Sequence, residues 1–339
     1  MKTLLVGCGG ISQTWLKAIA QIPEIELLGL VDLDEALAKQ RAQQFELELV
    51  TGSSLFDMLH KLKPDLVFDC TIPQAHYDVS LAALKAGCHV FGEKPMADSL
   101  TEAQQMVKAA KEAGKVYAVM QNRRYDPNIR SLKAFLASGV LGDITTVHAD
   151  FFVGARFGGF RDHMKHILVK DMAIHTFDAA RFLIEKDPEA VYCHEWNPKG
   201  SWYDQDASAI AIFEMTDGVL FNYRGSWCAE GLRTTWESEW RIIGTKGSVS
   251  WNGAEGFKAE LIEDNSGFLS TYKPLTVHSH KATDFGAGHL GALQSFTHAM
   301  LEGKEPETIC TDNIKSLAMV LGAVESSEKG ARVPIKLSF

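Results

Sequence analysis

Short aliphatic and β-branched runs recur through the first third of the chain, each followed by a stretch whose apolar residues return every three or four positions. Thr3–Val6 leads into Thr14–Ile19, Glu26–Val31 into Glu35–Gln44, Leu66–Cys70 into His76–Ala86, and Cys88–Phe91 into Thr101–Ala113. Uninterrupted apolar runs suit strands buried on both faces, and the helical period suits segments packed over them. With a Leu47–Val50 strand, a Leu55–Leu62 helix and a Val116–Met120 strand added, the alternation predicts a doubly wound parallel sheet, an α/β layer structure.

Past residue 122 the pattern changes. Arg123–Gly139 reads as one further helix, and strand-like alternation then dominates over Ile144–Val153, Ala190–Glu195, Ala207–Glu214, Gly218–Ser226, Glu237–Gly244 and Gly247–Trp251. Only an Asp171–Leu183 helix and two late helices interrupt it. This predicts an α+β domain with a large, open, mostly antiparallel sheet and helices on one face. Strands such as Ala209–Phe213 and Val219–Tyr223 carry apolar residues on adjacent as well as alternating positions, and there are too few helices to cover both faces. An uncovered apolar face predicts a homodimer, or a homotetramer of such pairs.

The first strand passes directly into Gly7-Cys8-Gly9-Gly10-Ile11-Ser12 and then into helix. Gly7 permits the tight turn, Gly9 lets the backbone approach a pyrophosphate, and the helix start offers unpaired N–H groups to the anion. Ser12 takes the place of the third glycine. The second strand ends on Asp32, about 20 residues further on, where a carboxylate accepts from ribose hydroxyls. A 2′-phosphate beside Asp32 would be repelled, and Leu33 and Asp34 supply no arginine, so NAD is expected and NADP disfavoured. The expected organisation is therefore a Rossmann dinucleotide-binding domain over 1–122 and a substrate-binding and oligomerisation domain over 123–339.

Composition narrows the class. Hydrophobic residues make up 46% of the 339, enough for two cored domains. A net charge of −9 without a Lys/Arg-rich run speaks against nucleic acid or an acidic membrane as partner. No apolar stretch approaches a membrane span, and the first residues do not resemble a secretory leader, so a cytoplasmic protein is expected. Cys8, Cys70, Cys88, Cys193, Cys228 and Cys310 are scattered, as expected of free thiols. His163 and His166 with Asp162 lack a fourth ligand, so no metal is expected.

Two further segments carry chemistry. One is His89-Val90-Phe91-Gly92-Glu93-Lys94-Pro95, and the other Lys170-Asp171-Met172-Ala173-Ile174-His175-Thr176-Phe177-Asp178. With the glycine turn they supply a hydride carrier's site, an amine and an imidazole with a carboxylate, the equipment of an alcohol-oxidising dehydrogenase. Asp171, His175 and Asp178 are spaced to share one helix face. Thr71, Ile72, Pro73, Glu93 and Lys94 fall at strand C-terminal ends, where ligands bind in such sheets.

Together, the glycine turn, Thr71-Ile72-Pro73 with His76, Gly92-Glu93-Lys94-Pro95, Asn122-Arg123-Arg124-Tyr125 and Asp171-x-x-x-His175-x-x-Asp178 resemble, in order, the motifs of the Gfo/Idh/MocA (glucose–fructose oxidoreductase, inositol dehydrogenase, rhizopine catabolism) family. The resemblance spans essentially the whole chain. It implies nicotinamide-dependent oxidation of a sugar, cyclitol or related polyol. Lys94 is similar to the lysine that hydrogen-bonds the reacting hydroxyl, His175 to the general acid–base, and Asp171 to its carboxylate partner. It also implies cofactor contacts from Gly7, Gly9, Gly10, Ile11, Asp32, Thr71, Ile72, Pro73, His76, Glu93, Lys94 and Asn122, and substrate contacts from Lys94, Arg156, His163, Asp171 and His175.

The chain departs from the family where glycines commonly precede the aspartate. Ile167-Leu168-Val169-Lys170 stands there, which is expected to alter the local backbone and pocket shape while leaving the catalytic pair. Some relatives use held NAD for transient oxidation, elimination and re-reduction, so net glycoside hydrolysis is the alternative enzyme reading. A cofactor-sensing regulator without catalysis is the alternative from another class, opposed by Lys94, Asp171 and His175.

Overall fold

The computed structural model describes residues 1–254, 256–278 and 285–337. The chain divides into two compact units, the first running from Met1 to Tyr125 and the second starting at Asp126.

In the first unit β1 (Lys2–Val6), β2 (Glu26–Val31), β3 (Val50–Gly52), β4 (Leu66–Asp69), β5 (His89–Gly92) and β6 (Tyr117–Val119) form one sheet in the order β3-β2-β1-β4-β5-β6. Every pairing is parallel. Helices α1 (Ser12–Ile19), α2 (Glu35–Gln44), α3 (Leu55–Leu62), α4 (Pro73–Lys85) and α5 (Leu100–Ala113) supply the crossovers. The strand order reverses between β1 and β4, and ligands of such sheets bind beyond the strand ends at that switch point. The third strand lies a few residues later than the Leu47–Val50 reading, because only Val50–Gly52 pairs with β2.

Trp15 of α1 anchors this core. It is fully buried, with ring centroids 5.1 Å from Phe68 and 5.4 Å from Phe91. Phe91 in turn stacks on Phe296 at 4.5 Å. Such ring pairs add about 0.5–1.5 kcal/mol each beyond burial of area. Phe296 lies on a late helix, Gly288–Leu301, so that helix and the residues up to Leu317 join the first unit. The sequence reading had placed everything after residue 122 in the second domain. Periodicity shows that a helix is amphipathic but not which core its apolar face meets.

The second unit opens with α6 (Pro127–Ala137). A single Arg123–Gly139 helix does not form: Asn122–Tyr125 makes a 3₁₀ turn and the chain breaks at Asp126. Pro127 disfavours helical backbone at the residue before it, and the Asp126 carboxylate caps the new helix, accepting from Asn128 N at 2.8 Å and Ile129 N at 3.1 Å.

Its sheet comprises β7 (Ile144–Phe152), β8 (Pro188–Trp196), β9 (Ser208–Met215), β10 (Leu220–Ser226), β11 (Glu239–Gly244), β12 (Gly247–Trp251), β13 (Phe257–Asp264), β14 (Thr271–Leu275) and β15 (Val333–Pro334). The order is β14-β13-β12-β11-β7-β10-β9-β8-β15, and all neighbours are antiparallel except β7 and β10. The parallel pair ends level, Phe152 opposite Ser226, so the loops after both strands emerge side by side and meet in a Gly154–Cys228 bridge.

One face is closed by α7 (Ile174–Ile184), whose Phe177 contacts Phe213, Phe221 and Tyr223. On the other face Tyr192, Ile210, Ile212 and Leu220 remain more than 40% exposed in this single chain. Three strands escaped the sequence reading. Of these β14 contains Pro274, which confines it to the sheet edge where it is found.

Candidate active site

The glycine turn leaves β1 at the centre of the first sheet. Gly7 has φ +89°, and a Cβ built there would lie 2.6 Å from the carbonyl carbon and oxygen of Cys70, so this position admits no side chain. At Gly9 and Gly10 a Cβ would meet nothing within 4 Å. The turn thus presses on the backbone just past β4 at Gly7 and faces open space at Gly9 and Gly10. Ser12, in the third glycine's place, is buried and donates from Oγ to Gly9 O at 2.6 Å.

Asp32 follows β2. Its Oδ2 accepts from Cys8 N at 2.8 Å and its Oδ1 from Asp34 N at 3.0 Å, which fixes the carboxylate beside the turn. Leu33 and Ile72, just past the two strands that flank β1, are 94% and 63% exposed, and Ile11 is 37% exposed. Apolar side chains so exposed around a strand-end crevice suit the faces of a bound aromatic base.

At the end of β4 the buried Asp69 carboxylate organises the Thr71–His76 segment. Oδ1 accepts from Thr71 N (3.1 Å) and Thr71 Oγ1 (2.5 Å) and pairs with His76 Nδ1 at 3.1 Å, while Oδ2 accepts from Ser80 Oγ at 3.2 Å. Burial opposes charge on His76, but Asp69, by charge and hydrogen bond, outweighs it and raises the pKa. His76 is only 1% exposed, so it acts as a brace beneath the strand end.

Glu93 is braced likewise. Its Oε1 accepts from the Trp15 indole N–H at 2.6 Å and lies 3.4 Å from His289 Nε2. Burial alone would push its pKa up, yet hydrogen bonds from His289 and Trp15, with the charges of His289 and Lys94, hold it below the usual carboxylate value. Lys94 follows at the end of β5, its backbone N–H donating to Glu93 Oε2 at 3.2 Å. Asn122 opens the 3₁₀ turn just past β6.

In the second unit Asp171 lies in a π-helical turn, Leu168–Ala173, that runs directly into α7 with His175 in its first turn. Ile167, Leu168 and Val169 are fully buried, and the helix continues backward through them as a wide turn. Asp171 and His175 thus stand four residues apart across the junction of the π-helical turn and α7. Asp171 Oδ2 accepts from Arg161 Nε at 3.0 Å, and the Arg161 guanidinium also lies over the rings of Phe157 (5.2 Å) and Phe160 (4.8 Å).

Several neighbouring basic side chains are paired. Arg156 bridges to Glu230 at 2.7 Å and covers the Trp202 ring at 3.7 Å. His163 pairs with Asp204 on the surface, and that hydrogen bond raises its pKa. His166 Nδ1 meets the buried Glu195 carboxylate at 2.7 Å and its Nε2 meets Glu328 at 3.5 Å. Among the described residues no group of three or more His, Cys, Asp or Glu is arranged to hold a metal.

Trp227, Trp240, Trp251, Tyr203 and Tyr223 are core residues, while Trp236, Phe157 and Phe160 are exposed by 47%, 47% and 68%. The phenylalanines were missed. Their signal was position: they sit in the loop that follows β7, immediately before Arg161.

Comparison with known proteins agrees with this geometry. Residues 1–121 match the oxidoreductase family model with an NAD-binding Rossmann fold, and residues 129–250 match the GFO/IDH/MocA C-terminal domain. The chain is 25% identical to a D-apiose dehydrogenase of Rhizobium rhizogenes, over 99% of this chain and 97% of that one. It is also 25% identical to an inositol 2-dehydrogenase of Rhizobium meliloti, over 98% of each. A crystal structure of an oxidoreductase from Agrobacterium radiobacter, in complex with NAD+, L-tartaric acid and magnesium, superposes with a TM-score of 0.86 at 22% identity, covering 99% of this chain and 98% of that one. The space at Gly9 and Gly10 and the oriented Asp32 carboxylate fit NAD. Among the described residues no helix is long and apolar enough to cross a membrane. The chain belongs to the Gfo/Idh/MocA family and is an NAD-binding oxidoreductase.

Proposed function

We propose that the chain transfers a hydride between NAD and a carbinol carbon of a sugar, cyclitol or related polyol. The observation that carries this reading is in the first unit, where a glycine turn open to an anion, an oriented Asp32 and the Glu93–Lys94 strand end share one switch-point edge. The dehydrogenases to which the chain is similar act on sugars and cyclitols by name, which supports the substrate class.

NAD, when bound, supplies the hydride acceptor. The residues' share is the proton and the charge. Loss of hydride from a carbinol is feasible only as its hydroxyl proton leaves, so a base within hydrogen-bond reach of that proton is required. His175 takes that role. Asp171 steadies the imidazole and its protonated form. The Lys94 ammonium stabilises the alkoxide charge that develops, in either direction of reaction. Exposed Phe157, Phe160 and Trp236 offer apolar faces to the C–H side of a sugar ring.

The partly exposed apolar residues of the open sheet face, Tyr192, Ile210, Ile212 and Leu220, support assembly with a second copy as a homodimer or homotetramer. The test of the activity is a screen of cyclitols, aldoses, glycosides and sugar acids with NAD, read as NADH absorbance. Product formed without net NADH would favour the redox-neutral glycosidase reading. No product from any class would overturn the proposal.

A further inference from the structure

We propose that Arg41 is a positioning residue for the dinucleotide, holding two peptide groups of the glycine turn so that their N–H groups face the pyrophosphate. Arg41 lies on α2, outside the turn and past Asp32 in the chain, and neither the glycine fingerprint nor its carboxylate involves it. It is a long cation only 7% exposed, and a guanidinium is not buried without acceptors.

Its acceptors are the turn itself. Nε donates to Cys8 O at 3.2 Å, and Nη2 donates to Cys8 O at 3.0 Å and to Gly9 O at 3.1 Å. Nη1 donates to Gln44 Oε1, and Gln44 Nε2 donates to Gln13 Oε1 at 3.1 Å, which ties the guanidinium to α1 as well. Ser12 Oγ reaches Gly9 O at 2.6 Å.

Peptide geometry converts these contacts into a ligand site. In a planar trans peptide the carbonyl and the following N–H point in opposite directions. With Cys8 O held on Arg41, the Gly9 N–H points away from it. With Gly9 O held on Arg41 and Ser12, the Gly10 N–H does the same. Neither amide has a protein acceptor among the described residues, whereas the Cys8 amide is already taken by Asp32 Oδ2 at 2.8 Å. A Cβ at Gly9 or Gly10 would also meet nothing within 4 Å. Two free, outward N–H groups beside open space form a preorganised anion nest. Cys8 is gripped on both sides, its N–H by Asp32 and its C=O by Arg41, so one clamp aligns the ribose carboxylate with the phosphate turn.

A buried guanidinium committed in this way is not offered to a 2′-phosphate, so Arg41 serves NAD without favouring NADP. Calorimetric titration of the full chain tests this. Arg41→Met should weaken NAD binding by about tenfold or more, near 1.4 kcal/mol, while kcat at saturating NAD stays within about twofold and the KM for NAD rises. Arg41→Lys keeps the charge but cannot bond two carbonyls in one plane, so it should recover only part of the loss. In Arg41→Ala, millimolar guanidinium should restore NAD affinity where sodium chloride of equal ionic strength does not, an outcome that separates the clamp from general folding. The proposal fails if Arg41→Met binds NAD like the parent, if Arg41→Lys is fully competent so that charge alone suffices, or if only NADP affinity changes.

Discussion

Gly7 and Gly9 sit two residues apart in the same turn, yet alanine at each should fail in a different way. At Gly7 the added Cβ would lie 2.6 Å from the carbonyl carbon and oxygen of Cys70 and 2.7 Å from Thr71 N, all backbone atoms that cannot rotate aside. Its φ of +89° adds conformational strain for any side chain. The strain costs about 1–2 kcal/mol and forced overpacking about 1–3 kcal/mol, so Gly7→Ala should destabilise the first unit by roughly 2–5 kcal/mol. At Gly9 nothing lies within 4 Å and φ is not left-handed, so Gly9→Ala should leave stability within about 0.5 kcal/mol. The methyl would instead fill the space assigned to the pyrophosphate and weaken NAD by about tenfold or more. Urea unfolding without ligand, followed by NAD titration of the folded variants, reads both effects. A Gly7→Ala protein that unfolds like the parent, or a Gly9→Ala protein that binds NAD normally, would refute the reasoning.

Three further outcomes are expected. Asp32→Ser should narrow the preference for NAD over NADP in a binding titration, and equal affinities for the two in the parent would sink the assignment of Asp32 to the ribose. The hydrogen bond to Glu195 raises the His166 pKa against burial, so the folded state favours its protonated form. That stability is fully present below the unfolded value of about 6.5 and is lost as pH rises through the higher folded value. Unfolding midpoints should accordingly show a weaker decline with rising pH in Glu195→Gln than in the parent, and an unchanged slope would argue against a charged His166–Glu195 pair. Light scattering at micromolar concentration should give at least twice the 37.4 kDa monomer mass, and Ile210→Lys with Ile212→Lys on the open face should shift it toward monomer. A parent that scatters as a monomer would leave that face in need of another cover.

The parallel sheet was legible because its strands are buried on both faces and read as unbroken apolar runs, and because the glycine turn and Asp32 obey short-range spacing. The early strands of the second sheet were visible through alternation, whereas Phe257–Asp264 and Thr271–Leu275 carry too much polar or proline content to announce themselves. Long-range commitments were not legible. Nothing local to Arg41 says that its guanidinium will close on Cys8 and Gly9, nothing local to Trp15 says that its indole will meet Glu93, and nothing in the helix Gly288–Leu301 says which unit it joins. The π-helical turn at Leu168–Ala173 is an intermediate case. Ile167-Leu168-Val169 in place of glycines marked the departure, but only packing decides whether such residues form a strand, a loop or a widened helix. Residue types at the site were thus readable, and the braces that orient them were not.

We propose that His175 and Lys94 act on a hydroxyl that loses its proton as hydride passes from the carbinol carbon to NAD. The most direct measurement is steady-state NADH formation on the best substrate of the polyol screen, for the parent, His175→Ala and Lys94→Ala, with NAD affinity measured in parallel. Each substitution should lower kcat by about two or more orders of magnitude, with the affinity of His175→Ala for NAD within several-fold of the parent. Near-normal turnover by His175→Ala would contradict the account and move the base elsewhere.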